Sequence, residues 1–178
     1  WGLMKSLWAA EKFDVPRYDS VQNNFSLINR RCESELAQVC RREHVSLLPY
    51  SPLGGGVLSG KYNSGLPKGG RFTDYLQNGG PRQQSMAQRF VNERTVAATE
   101  RLSKIAADIQ VSLVAMSVAW SRQHDFVAST IIGATSLEQL DESLAAVDLI
   151  LDSETLERID QVEVDIPCAL REDGLRKL

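Results

Sequence analysis

Between residues 47 and 62 the chain reads Leu-Leu-Pro-Tyr-Ser-Pro-Leu-Gly-Gly-Gly-Val-Leu-Ser-Gly-Lys-Tyr. Ser46, Leu47 and Leu48 make the short apolar stretch that a buried strand of a parallel sheet needs. Pro49 and Pro52 then stop it, because each removes a backbone donor from the ladder. Tyr50 and Ser51 therefore stand where a strand of an α/β fold hands over to a loop. Three consecutive glycines, Gly54 to Gly56, let the backbone approach a ligand closely, and Lys61 adds a cation. An aromatic face, a hydroxyl, bare amides and an ammonium suit a ring joined to a phosphate. A nucleotide cofactor fits that set.

Helix and strand patterns alternate around this run. The spacing predicts a helix over residues 1–13 ended by Pro16, a strand over Tyr18–Asn23 carrying Gln22, and a helix over Glu33–His44. A strand over Leu47–Ser51 leads into a glycine-rich loop from Gly54 to about Gln84. Helices over Glu93–Asp108 and Ser112–His124 precede a strand over Ala128–Ile132. A helix over Ser136–Ala146 is capped by Thr135 or Ser136, a last helix over Ser153–Val162 by Ser153, and the tail from Asp165 reads as irregular. Strands alternating with single helices favour a parallel sheet with right-handed crossovers. Three strands do not close a barrel, so the expectation is one partial barrel domain over residues 1–178, its missing strands lying before Trp1. Trp1 itself falls inside an amphipathic stripe of Leu3, Met4, Leu7 and Trp8, which suggests a fragment or a truncated product with open sheet edges.

Composition excludes several classes. The formal net charge of −3 argues against a general nucleic-acid binder, whose affinity comes from neutralising phosphates. No apolar stretch approaches the roughly 20 residues of a membrane span, and no secretory leader is visible. Cys32, Cys40 and Cys168 lack CxxC spacing and, with only His44 and His124, make no zinc site. They read as structural thiols of a reducing, cytoplasmic compartment. Both histidines, near helix C-termini, read as structural. Arg41-Arg42 and the acidic residues of 152–163 read as solvated helix faces, and Trp8 and Trp120 as packing residues.

Three segments resemble the C-terminal half of an aldo-keto reductase. Val21-Gln-Asn-Asn-Phe-Ser-Leu-Ile-Asn-Arg30 is similar to the family's sixth-strand signature, the run 47–62 to its seventh strand and loop, and Thr130-Ile-Ile-Gly-Ala-Thr-Ser-Leu-Glu-Gln-Leu-Asp-Glu-Ser143 to its eighth strand and cofactor-clamping helix. The resemblance is closest to the branch of Tas-like reductases and potassium-channel β subunits. It implies the strand 6–8 part of a (β/α)8 barrel and a family that reduces aldehydes and ketones with NADPH, the ligands sitting at the C-terminal strand ends.

By this resemblance Gln22 would hydrogen-bond the nicotinamide carboxamide and Tyr50 would stack on its ring. Ser51, Leu53 and Gly54 would line the pyrophosphate, with Pro52 stiffening their loop. Lys61 and Arg71 would meet the phosphates of the adenosine half, and Gly133 and Thr135 would present a helix N-terminus to phosphate. Gln139 and Glu142, three apart on one helical face, would hold the ribose or adenine end. Ser143 departs from the family's usual Asn at an adenine contact. Gly133 and Gln139 stand where other carbonyl reductases carry Lys and Arg, leaving Arg71 and Lys61 to select NADP. The catalytic Asp, Tyr, Lys and His would lie before Trp1, so no residue here takes the catalytic role and the chain alone would be inactive. The competing class is an NADP(H)-binding regulatory subunit acting through a protein partner.

Overall fold

Two parallel strands, β1 (Ser20–Asn24) and β2 (Ser46–Tyr50), form the sheet of the computed structural model, which describes residues 1–170. The register runs from Ser20 opposite Ser46 to Asn24 opposite Tyr50. The expected third strand is reduced to two isolated parallel bridges to β2, Leu47 with Val127 and Tyr50 with Ile131. The cause lies in β2. Leu47 exchanges bonds on that side, its N–H donating to Phe126 O (2.8 Å) and its carbonyl accepting from Ala128 (3.1 Å). Pro49 accepts from Ile131 N (2.8 Å) but has no N–H to return, so the ladder breaks halfway.

The described residues hold eight α-helices: α1 (Gly2–Phe13), α2 (Leu36–Glu43), α3 (Arg71–Asn78), α4 (Pro81–Phe90), α5 (Glu93–Asp108), α6 (Leu113–Arg122), α7 (Leu137–Leu144) and α8 (Ser153–Asp165). The segment expected as a loop from Gly54 to Gln84 instead holds a 3₁₀ turn (Gly54–Ser59), α3 and the first turn of α4. The glycines sit between these elements. Pro81 takes the first position of α4, where its missing N–H is no loss, and Gln83 Oε1 accepts from Gly80 N at 3.0 Å. Asp152, not Ser153, caps α8, accepting from Thr155 N at 2.8 Å, and that helix runs on to Asp165. Ser136 caps α7 as one of the two expected candidates.

The core is built on α6, whose residues Leu113 to Ser121 are all buried. Trp120 packs on Phe25, the first residue after β1, with ring centroids 4.8 Å apart, and His124 and Phe126 complete the cluster. Trp120 is thus core, as expected. Trp8 is not: it is half exposed on α1, flanked by the Lys5 and Lys12 amines at 5.0 and 4.6 Å from its ring.

Candidate functional site at the C-terminal strand edge

Because β1 and β2 are parallel and in register, Asn24 and Tyr50 end side by side, and Ile131 bridges to Tyr50 from the other side. The segments beginning at Phe25, Ser51 and Ile132 leave from this one edge. It therefore gathers Tyr50 with Ser51, Pro52, Leu53 and Gly54 on one side and the approach to Gly133 and Thr135 on the other. Tyr50 is 42% exposed, unusual for a large ring at a strand end, and its face is available to a ligand. Gln22 lies two residues back on β1, opposite Leu48 and exposed. A penalty for an unpaired buried amide therefore plays no part at this position.

The loop after β2 is held by packing. Ser51, Gly54, Gly55 and Gly56 all have positive φ. A Cβ at Gly54 would fall 2.7 Å from Ile28 Cδ1, and one at Gly55 would fall 2.5 Å from Phe72 Cζ. Two of the three glycines thus face protein, not an open ligand cradle. Only Gly56 faces a flexible neighbour: a Cβ there would meet Lys61 Nζ at 3.1 Å, so the amine folds over the glycine turn. Gly54, Gly56, Leu58 and Gly60 donate their amides to carbonyls of Ser51, Leu53 and Val57 within the loop. The bare-amide expectation fails for these four. The groups that remain suited to phosphate are the Ser51 hydroxyl and the Lys61 ammonium.

Arg71 opens α3 and is exposed, with its guanidinium over the Tyr75 ring (5.7 Å) and Nε donating to Tyr75 Oη at 3.4 Å. On the other flank, Gly133, Thr135, Gln139 and Glu142 are all exposed. Gln139 Oε1 accepts from both Thr135 N (2.9 Å) and Thr135 Oγ1 (3.0 Å), which closes the turn before α7 and leaves its NH2 group outward. Ser143 is buried and donates to Gln139 O at 2.9 Å, so it contributes nothing outward in place of an amide.

The segment after β1 is fixed by a polar latch. Arg30 bridges Glu33 (2.8 Å) and Asp160 on α8 (2.7 Å), with its guanidinium 5.1 Å from the Trp120 ring centroid. His124 Nε2 lies 3.5 Å from Glu33. Burial, reinforced by Arg30, pushes His124 down to about 4, so at neutral pH it packs as an uncharged ring. This agrees with a structural role. Burial likewise raises the Cys32 thiol to about 11 and moves Cys40 upward, leaving both unreactive.

Sequence reading missed a polar cavity of about 390 Å³ that shares Tyr50 with this edge and includes Asn23, Asn24, Asn29, Arg31 and Arg89. The Asn23-Asn24 doublet at a strand end was the available signal. Arg89 joins the wall from the last turn of α4, a helix that begins inside the glycine-rich stretch. Among the described residues no group of three metal-ligating side chains occurs, and no single helix is long and apolar enough to cross a membrane.

The aldo/keto reductase family model matches residues 1–164, nearly the whole chain. The chain belongs to the aldo/keto reductase family. It is similar to Protein tas of Escherichia coli (strain K12), 37% identical over 163 residues that are 91% of this chain and 44% of that protein. A probable voltage-gated potassium channel subunit beta of Arabidopsis thaliana is 32% identical over 86% of this chain and 46% of its own length. The L-glyceraldehyde 3-phosphate reductase of Escherichia coli (strain K12) is 28% identical over 79% of this chain and 40% of its own. The chain spans about half the length of the curated relatives it matches. Family membership carries an oxidoreductase lineage. The Tas-like and channel-β branches anticipated from the three sequence segments are among these relatives.

Proposed function

We propose that residues 1–178 form one domain, the cofactor-binding part of an NADP-dependent aldo-keto reductase, with β1, β2 and the bridged segment at 127–132 as strands 6 to 8 of its barrel. The observation that carries this is the half-exposed Tyr50 ring at the shared strand edge, with Lys61 folded over the adjoining glycine turn. In this reading Tyr50 stacks on the nicotinamide and Gln22 holds its carboxamide. Ser51, Leu53 and Gly54 line the pyrophosphate on a loop stiffened by Pro52. Lys61 and Arg71 meet phosphate, while Gly133, Thr135, Gln139 and Glu142 close over the adenosine half. The residues fit the group in part: a ring face, a hydroxyl and a cation are present, whereas the amides of Gly54, Gly56, Leu58 and Gly60 bond within the loop.

Bound NADPH supplies a hydride, which together with a proton reduces the carbonyl of a small aldehyde or ketone to an alcohol. This chain's own residues bind and orient; none is assigned the proton. The protein works in the cytoplasm on a small-molecule substrate, without nucleic acid or membrane. The similarity to a protein named as a potassium channel β subunit supports a second reading, an NADP(H)-binding regulatory subunit acting through a protein partner.

The test is a titration of intrinsic fluorescence with NADPH. Quenching is expected, and Tyr50→Ala should weaken it by roughly tenfold, as for loss of one ring-stacking contact of about 1–1.5 kcal/mol. A folded protein whose fluorescence ignores NADPH contradicts the cofactor reading.

A further inference from the structure

We infer that the exposed face of α1 docks on the exposed face of α7 in a second copy, so that two chains close head to tail into a two-fold dimer. The inference does not rest on the cofactor reading. Eleven of the fourteen large hydrophobic side chains exposed among the described residues fall in two segments, residues 1–18 and 131–150. On α1, Trp1, Met4 and Trp8 recur at the spacing of one helical stripe, 89%, 39% and 49% exposed, and only Leu7 and Ala10 of that helix are buried. On α7, Leu137 and Leu144 stand two turns apart on one face, 74% and 47% exposed, and Ser143 is the only buried residue of the helix. Apolar residues scattered singly over a surface are ordinary; two concentrated stripes are what a docking surface shows.

The two faces match in charge. Lys5 and Lys12 hold their amines over the Trp8 ring, and Asp141 lies between Leu137 and Leu144 on the α7 stripe. None of the described ion pairs includes these three residues. From Gln123 to Glu157 the chain carries eight acidic side chains and no lysine or arginine, so this flank repels its own copy and attracts the α1 face. The backbone offers the same pairing. α1 leads into β1, and the bridged segment at 127–132 leads into α7. Among the described residues β1 and that segment each pair with β2 alone, so both outer edges of the sheet are open. A half-turn about an axis parallel to the strands sets β1 of each copy beside the bridged segment of the other, every strand still parallel. The same rotation makes both α1–α7 contacts at once, which closes the pair. Aromatic side chains cover roughly 150–250 Å² each, so two such contacts approach the about 1,200 Å² at which stable interfaces begin. Gln139 and Glu142 lie on the opposite side of α7 from Leu137 and Leu144, so the dimer and the proposed cofactor do not compete for one face.

Sedimentation equilibrium of the full chain tests this, with circular dichroism to confirm that each variant is folded. The chain should form dimers that dissociate on dilution. Trp8→Glu on one face and Leu144→Glu on the other should each weaken the dimer roughly a hundredfold, as for an anchor side chain lost at two contacts. Mixed in equal amounts, these two variants should associate more tightly than either alone, because one α1 face and one α7 face remain intact. Asp141→Lys should weaken the dimer roughly tenfold, acting twice in a closed pair, and adding Lys5→Glu and Lys12→Glu to the same chain should restore it. A folded chain that stays monomeric at its highest soluble concentration would overturn the inference. So would a dimer that survives Leu144→Glu, which would mean that α1 faces pair with each other, or assemblies that grow without limit, which would mean that the contacts do not close.

Discussion

The two flanks of the strand edge are built in opposite ways. The loop Ser51–Tyr62 is set into the core: Gly54 rests on Ile28, Gly55 on Phe72, and Phe72 N donates to the buried Tyr62 Oη at 3.1 Å. The segment Gly133–Gln139 is exposed along its whole length and held by its own turn, Thr135 to Gln139 and Ser136 to the α7 N-terminus. The first flank owes its shape to apolar packing and keeps it without a ligand. The second has little burial to hold it, so a bound molecule would order it most. If the proposed cofactor binds here, its site would have one preformed wall and one closing wall.

Glycine substitutions should separate the walls most sharply. Gly55→Ala forces a methyl group to 2.5 Å from Phe72 at a positive φ, and should destabilise by about 2–4 kcal/mol through overpacking and backbone strain. Gly133→Ala meets nothing within 4 Å and should leave thermal stability within about 0.5 kcal/mol. Paired melting curves check this, and equal losses would break the distinction. Next in size, Tyr62→Phe removes the acceptor of a buried N–H and should cost about 1–3 kcal/mol in denaturant unfolding.

His124 gives the pH dependence of the packed side. Its native value of about 4 lies below its ordinary 6.5, so the unfolded chain binds the proton first as pH falls. Stability should be fully present above pH 6.5 and decline between 6.5 and 4. His124→Gln should flatten that part of the melting profile; an unchanged slope would remove His124 as its cause. The smallest effect belongs to the exposed wall. Ser136→Ala removes the α7 cap, whose contact to Gln139 N is long at 3.4 Å, and should cost about 0.5 kcal/mol.

The same division governs what could be read from sequence. Regular periodicity revealed α5 and α6, and Leu47-Leu48 before Pro49 revealed β2, because burial and backbone donors leave direct marks on residue choice. α3 and α4 were hidden by the glycines around them, although Gly80-Pro81 followed by Gln83 is a helix start that composition alone reads as loop. Ala128–Ile132 has strand-like residues, yet its pairing depends on a donor that Pro49 lacks, a fact of the neighbour and not of the segment. Tyr50, Lys61 and the polar residues Gln139 and Glu142 of α7 were legible as a row of chemical types. That Gly54 and Gly55 face Ile28 and Phe72 was not, since both partners are remote in sequence. Nor was the placement of Arg89 beside Asn24, which needed α4.

Hydrogen exchange in the presence and absence of NADPH tests the divided site most directly. Amides of residues 133–142 should gain strong protection on adding NADPH, while those of 51–62, already held by the core, should change little. Equal responses in both segments would contradict the preformed-and-closing arrangement, and no response in either would contradict cofactor binding at this edge.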